Sequence, residues 1–140
     1  PTPKKKMVTN IDVVVALIKK DNRYLIQKRP SKGLFADLWE FPGGKIEKGE
    51  LPKQALYREI REELNAKIES AEPKFHLKQF YTQFRAKLHV WDCRLKTSPT
   101  LNFNSRWVGL SKLKNYPMPS GSAKIVDRLE AQKVFDKSAF

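Results

Sequence analysis

Gly44-Lys45-Ile46-Glu47-Lys48-Gly49-Glu50-Leu51-Pro52-Lys53-Gln54-Ala55-Leu56-Tyr57-Arg58-Glu59-Ile60-Arg61-Glu62-Glu63-Leu64-Asn65-Ala66 is the stretch on which the fold turns. Leu51 to Leu64 repeats apolar residues at helical spacing and predicts a helix. At about 100° per residue, Glu59, Glu62 and Glu63 fall in one arc, at i, i+3 and i+4. Leu56, Ile60 and Leu64 occupy the adjoining arc and face a core. Three carboxylates on one partly buried stripe repel one another. A hard divalent cation removes that repulsion, because Mg²⁺ takes oxygen ligands and keeps room for water and phosphate. The plainer alternative is a solvated acidic face paired with Arg58 and Arg61, and the helix alone leaves both open. Pro52 suits a first helical position, but Leu51 stands where a Ser or Thr cap is common, which costs about 1 kcal/mol.

Just upstream, Phe41-Pro42-Gly43-Gly44 predicts a tight turn whose bare backbone lets a ligand approach closely. Lys45 follows directly. A glycine turn, a lysine and a carboxylate helix can together hold a cation and a polyphosphate. Further out, Ile11 to Lys19 reads as a buried strand, and Arg23 to Arg29 as its hairpin partner across Asp21-Asn22. Phe75–Thr82 and Phe84–Leu95 predict two more strands, and Arg106–Gly109 a short one. Lys96 to Asn104 is a polar loop. Tyr116-Pro117-Met118-Pro119 breaks the chain before an amphipathic helix over Ser122–Phe135. Strands mixed with two helices imply an α/β sheet covered on both faces. Nothing calls for a second domain, so residues 11–140 read as one domain and 1–10, with Lys4, Lys5 and Lys6, as a basic arm or linker.

The chain has 140 residues, enough for one core without staples. A single cysteine, Cys93, excludes an internal disulfide framework and reads as a small buried hydrophobe. No apolar run approaches the ~20 residues of a membrane helix, and no cleavage site follows Lys4–Lys6, so a reducing cytoplasmic setting is expected. Net charge is +13, from 28 basic and 15 acidic residues. Residues 41–64 are neutral, so the excess lies on either side of them. Such a surface favours polyanions.

Gly44, Glu50 and the run Arg58-Glu59-Ile60-Arg61-Glu62-Glu63 together resemble the Nudix box. Leu38-Trp39-Glu40-Phe41-Pro42-Gly43-Gly44-Lys45 and the C-terminal helix extend the likeness over nearly the whole chain. The resemblance implies an α/β/α sandwich, a mixed sheet flanked by the box helix and a C-terminal helix. It implies a pyrophosphohydrolase that needs Mg²⁺ or Mn²⁺ and splits a nucleoside triphosphate into monophosphate and pyrophosphate. Gly43, Glu59, Glu62 and Glu63 would hold the cation. Glu59 or Glu62 would act on the attacking water, and Arg58 would brace the glutamates and pair with Glu50. Arg29 and Lys45 would meet phosphate oxygens. Two departures from the box stand at its end, Asn65 and Ala66; Asn65 still suits a left-handed helix cap. Many family members recruit an acid from a later loop, but residues 96–104 carry none, and Asp92 is the nearest.

Within the family, two branches share the lead-in. One is similar to MutT-type enzymes acting on oxidised purine nucleotides such as 8-oxo-dGTP. The other is the C-terminal domain of MutY-type adenine DNA glycosylases, which reads 8-oxoguanine in duplex DNA without hydrolysis. The second half of the chain resembles the glycosylase domain; the complete glutamate set resembles the enzymes. Ser122 stands where MutT-type enzymes read the base. On the glycosylase reading, Lys4, Lys5, Lys6, Arg85, Lys87 and Ser120 would contact DNA. Phe80, Phe84 and Trp107 are candidates for base stacking, and His76 and His89 read as structural or surface residues. The alternating row Arg85-Lys87-His89 predicts a basic strip along one strand face. The sequence leaves the oligomeric state open.

Overall fold

The structure is a computed structural model that describes residues 8–138, so Lys4, Lys5 and Lys6 lie outside the described residues. In chain order it comprises β1 (Thr9–Lys20), β2 (Arg23–Lys28), β3 (Trp39–Glu40), β4 (Gly43–Lys45), α1 (Pro52–Leu64), β5 (Ile68–Phe80), β6 (Phe84–Leu95), β7 (Ser105–Gly109), a 3₁₀ helix (Leu110–Asn115) and α2 (Ser120–Ser138). Val14, Ala16 and Ile18 are buried on one face of β1, and Val15 and Leu17 on the other. A strand buried on both faces belongs inside a sheet. Accordingly β1 is central: it runs parallel to β6, in register from Thr9↔Phe84 to Ile18↔Cys93, and the order is β3-β2-β1-β6-β5. β4 also pairs with β1, and β7 with β2.

The alternation divides the core. Val14, Ala16, Ile18 and Cys93 pack against Ala55, Leu56, Ile60 and Leu64 of α1. Val15, Leu17, Leu88 and Val90 pack against Ile125, Val126 and Leu129 of α2. The expected α/β/α sandwich and helix stripe are therefore present. No helix among the described residues is long and apolar enough to cross a membrane.

Several boundaries differ from the sequence reading. β1 starts at Thr9, because Thr9 and Asn10 find partners on β6. β5 starts at Ile68 rather than Phe75. Glu69, Ser70, Glu72 and Pro73 weaken the strand signal there, but an edge strand tolerates proline. β6 supplies the pairing through two register shifts. The segment Gly43–Lys45 is a strand as well as a turn. Leu51 offers no side-chain cap, yet its N–H donates to Gln54 Oε1 at 2.8 Å. That bond recovers half of a capping box. Asn65 adopts φ 49° and donates its N–H to Arg61 O at 3.0 Å, as its cap role requires.

Candidate active site

β4 positions the site. Ile46 N–H donates to Asp12 O at 2.9 Å, and Ala16 N–H to Pro42 O at 2.8 Å. Antiparallel ladder bonds alternate, so Gly43, which pairs with Val15, turns its N–H away from β1. Its N–H donates instead to Glu63 Oε2 at 3.2 Å. Gly43 has φ 152°, and a Cβ there would collide with the carbonyl of Val14. A Cβ on Gly44 would collide with the Glu59 carboxyl group. Gly44 thus lets the Glu59 carboxylate rest directly on the strand backbone, while Gly43 lets β4 lie close on β1 and offers its N–H to Glu63.

Arg58 organises those carboxylates. Its guanidinium reaches Glu50 through Nε at 2.7 Å and Nη2 at 2.9 Å, Glu59 at 2.8 Å, Glu62 at 3.2 Å and Lys45 O at 2.9 Å. Hydrogen bonds from Arg58 and the Glu47 amide pull Glu50 down to about 2, because they favour its charged form. The same partners push Arg58 upward. Glu62 is 57% exposed and Glu59 only 15%, so the stripe has an outer and an inner member. Desolvation raises Glu63 to about 8, against the Gly43 amide; the charges of Glu59 and Glu40 add to the rise. Both effects disfavour the ionised carboxylate. The outer edge of Glu63 remains open to solvent, which screens that repulsion.

Glu40 is the residue that sequence reasoning did not single out. Desolvation raises its carboxyl, and Arg29 opposes the rise through a 2.8 Å ion pair. It brings a further negative charge to Glu63. Its only sequence signal is its place in the Leu38–Lys45 lead-in. Asp92, the nearest late acid by sequence, pairs with Lys74 at 3.1 Å and takes no part in this cluster.

These donors fit a hard cation. All are oxygens, which such a cation takes, they repel one another, and Glu63 is lifted toward its neutral form by desolvation and by the charges of Glu59 and Glu40. Among the described residues no three acidic, His or Cys side chains already stand close enough together to hold a metal ion. Arg58 holds Glu59 and Glu62, and Gly43 holds Glu63, so a bound cation would draw these carboxylates together.

On the α2 side of the same backbone lies a cavity of about 540 Å³. Gly43, Gly44, Lys45, Arg29 and Glu40 line one end; Tyr81, Phe84 and Ser122 line it toward α2. Side-chain-free Gly43-Gly44 is therefore the bridge between cavity and carboxylates. The structure brings Arg29, Lys45 and Ser122 to this one space. Arg29 also donates Nε to Leu34 O at 3.0 Å, so its guanidinium is already anchored.

Other candidates lie elsewhere. Trp107 packs against the α1-side core and Phe80 is 63% exposed, so of the three stacking candidates only Phe84 reaches the cavity, beside Tyr81 at 4.8 Å. Ser120 is exposed at the start of α2. Arg85 and Lys87 are exposed on β6, but the basic strip stops at Lys87: His89 is buried and bonds Asp12 Oδ1 at 2.9 Å. His76 lies against His89, with ring centroids 4.7 Å apart. Cys93 is buried, and desolvation pushes its thiol up to about 12.

A family profile described as the NUDIX domain matches residues 13–128. The chain belongs to the Nudix family. This Nudix chain is similar to the 8-oxo-dGTP diphosphatase of Buchnera aphidicola subsp. Schizaphis graminum, at 30% identity over 127 residues, covering 89% of this chain and 96% of the other. It is 52% identical to the CTP pyrophosphohydrolase of Escherichia coli K12 over 54 residues, which span 39% of this chain and 40% of that protein. Among solved structures, a MutT from work on Aliivibrio salmonicida and Vibrio cholerae superposes with a TM-score of 0.72 at 28% identity, covering 89% and 99% of the two chains. Family and relatives together make the chain an enzyme, a Nudix hydrolase. The resemblance to a glycosylase C-terminal domain draws no support from these relatives.

Proposed function

We propose that the chain is a divalent-cation-dependent pyrophosphohydrolase of nucleoside triphosphates, oxidised purine nucleotides among them. It releases nucleoside monophosphate and pyrophosphate. The observation that carries this reading is the Gly43-Gly44 bridge, with the Arg58-braced glutamates on one side and a nucleotide-sized cavity on the other. Pockets of ~300–1,000 Å³ suit small ligands. The names of the Buchnera and E. coli relatives support the substrate class.

In this proposal Glu59, Glu62 and Glu63, with Gly43, would hold Mg²⁺ or Mn²⁺. The bound cation would neutralise charge that develops on the phosphates. Arg29 and Lys45 orient the polyphosphate at the mouth of the cavity. Glu59 accepts a proton from the attacking water as its oxygen bonds to phosphorus, and the bond to the pyrophosphate oxygen breaks. Arg58 keeps Glu59 in place. Ser122 offers one donor and two acceptors to the base edge. In this reading the chain is one Nudix domain that begins with β1 at Thr9 rather than at residue 11, and a cytoplasmic setting goes with a nucleotide substrate. The test is a nucleotide panel that includes 8-oxo-dGTP, with Mg²⁺, Mn²⁺ or chelator, scoring pyrophosphate and orthophosphate separately. Orthophosphate as the main product, or turnover indifferent to chelator, would overturn the proposal.

A further inference from the structure

The ends of β5 and β6 carry an exposed face that the hydrolase reading leaves unused. Strand alternation sets His76, Lys78 and Phe80 of β5 on one face. They stand beside His89, Lys87 and Arg85 of β6, in the registers His76↔His89, Lys78↔Lys87 and Phe80↔Arg85. His76, Lys78, Phe80, Arg85 and Lys87 are all exposed. Parallel β1 continues the face with Asn10 opposite Arg85 and Asp12 opposite Lys87. Asp12 bonds buried His89 at 2.9 Å. Among the described residues, the rest of this face on β5 and β6 is made of cations, histidines and an aromatic ring.

Two features here run against ordinary surface chemistry. Lys78 and Lys87 stand directly opposite each other, and like charges at that position are destabilising. Phe80 is 63% exposed, yet the guanidinium of Arg85 lies 5.3 Å from its ring centroid. A cation held over a ring in this way makes a flat, positively charged platform. An anion between the lysines relieves the repulsion, and a planar aromatic ligand can use the free surface of Phe80. A partner supplying repeated phosphates and planar rings at short spacing is single-stranded nucleic acid. Proteins that bind it without sequence preference combine a cationic track with aromatic stacking in this way. A duplex keeps its bases stacked inside and gives Phe80 nothing to hold.

We propose that the β5–β6 face, through Lys78, Arg85, Lys87 and Phe80, is a binding platform for single-stranded nucleic acid, separate from the hydrolytic site. From His76 to Phe80 it extends about 13 Å at the usual ~3.3 Å rise per residue. Its three permanent cations set the electrostatic scale. On a single strand each phosphate neutralised contributes roughly −0.7 to the slope of log K against log salt, so the platform accounts for about −2.

The test uses the full chain and a fluorescently labelled oligothymidylate, followed by anisotropy over a salt series. Lys78→Gln/Arg85→Gln/Lys87→Gln is expected to flatten the slope by about 2. A control with equal charge loss, Lys20→Gln/Lys112→Gln/Lys133→Gln, is expected to flatten it much less. Phe80→Ala, at an exposed position, is expected to leave Tm unchanged and weaken binding about five-fold or more. None of these variants is expected to change nucleotide turnover, so the platform and the hydrolase reading fail separately. Equal effects of the two triple variants would overturn the proposal in favour of diffuse charge. Unchanged affinity in Phe80→Ala, or a preference for duplex DNA of the same length, would overturn it too.

Discussion

Gly44→Ala tests whether the Glu59 carboxylate really rests on the strand backbone. Two effects oppose each other. Gly44 is not among the positive-φ residues, so alanine fits its backbone. The smaller unfolded-state entropy then favours the variant by about 0.4–1 kcal/mol. Against this, the new methyl collides with the carboxyl atoms of Glu59, and overpacking costs about 1–3 kcal/mol. Glu59 cannot swing away freely, because Arg58 holds it at 2.8 Å. The collision wins, and Gly44→Ala is expected to destabilise the fold by about 1–2 kcal/mol, a Tm loss of roughly 2–8 °C for a chain of this size. In a Glu59→Ala background the obstruction is gone. There the same substitution should stabilise by about 0.4–1 kcal/mol, a coupling of about 1.5–3 kcal/mol. Urea unfolding of the four chains, followed by tryptophan fluorescence, measures the cycle. A neutral Gly44→Ala in the presence of Glu59, or the same penalty in its absence, refutes the contact.

Mg²⁺ should raise Tm, since a ligand of the folded state stabilises it, and Glu63→Gln should abolish most of the shift. Below about pH 4.5 Glu63 is protonated folded and unfolded alike. Between about 4.5 and about 8 the cation-free folded state holds a proton that the unfolded state has released, so stability falls as pH rises through that window. Tm against pH in chelator should show the fall, and Glu63→Gln should flatten it. Glu50 has the opposite sign: its contribution is present above about 4.5 and lost as pH falls toward about 2, because the unfolded state then binds the proton first. Arg58→Ala should therefore lower Tm at neutral pH, with the gap to the parent chain narrowing in acid. Glu59→Gln should reduce turnover at least about a hundred-fold with Tm little changed, measured by pyrophosphate release.

The glutamate helix was legible because its information is local. A 3.6-residue period puts Leu56, Ile60 and Leu64 on one stripe and the carboxylates on the next, whatever the helix packs against. The Nudix resemblance was legible for the same reason, since its residues lie within one loop and helix. The unbroken apolar run from Val13 to Ile18 likewise announced a buried strand. The positions that tertiary structure alone decided depend on partners distant in sequence. β5 extends back through Pro73 only because β6 offers a ladder to its edge. Glu40 joins the glutamates only because β4 lies on β1, which brings the lead-in up to α1 across a side-chain-free backbone. Arg29, Lys45 and Ser122 share a cavity because Ser122, far along the chain, returns to the same sheet face on α2. His89 left the basic strip because Asp12 of a parallel neighbour captured it, and parallel pairing joins segments that no local period can connect.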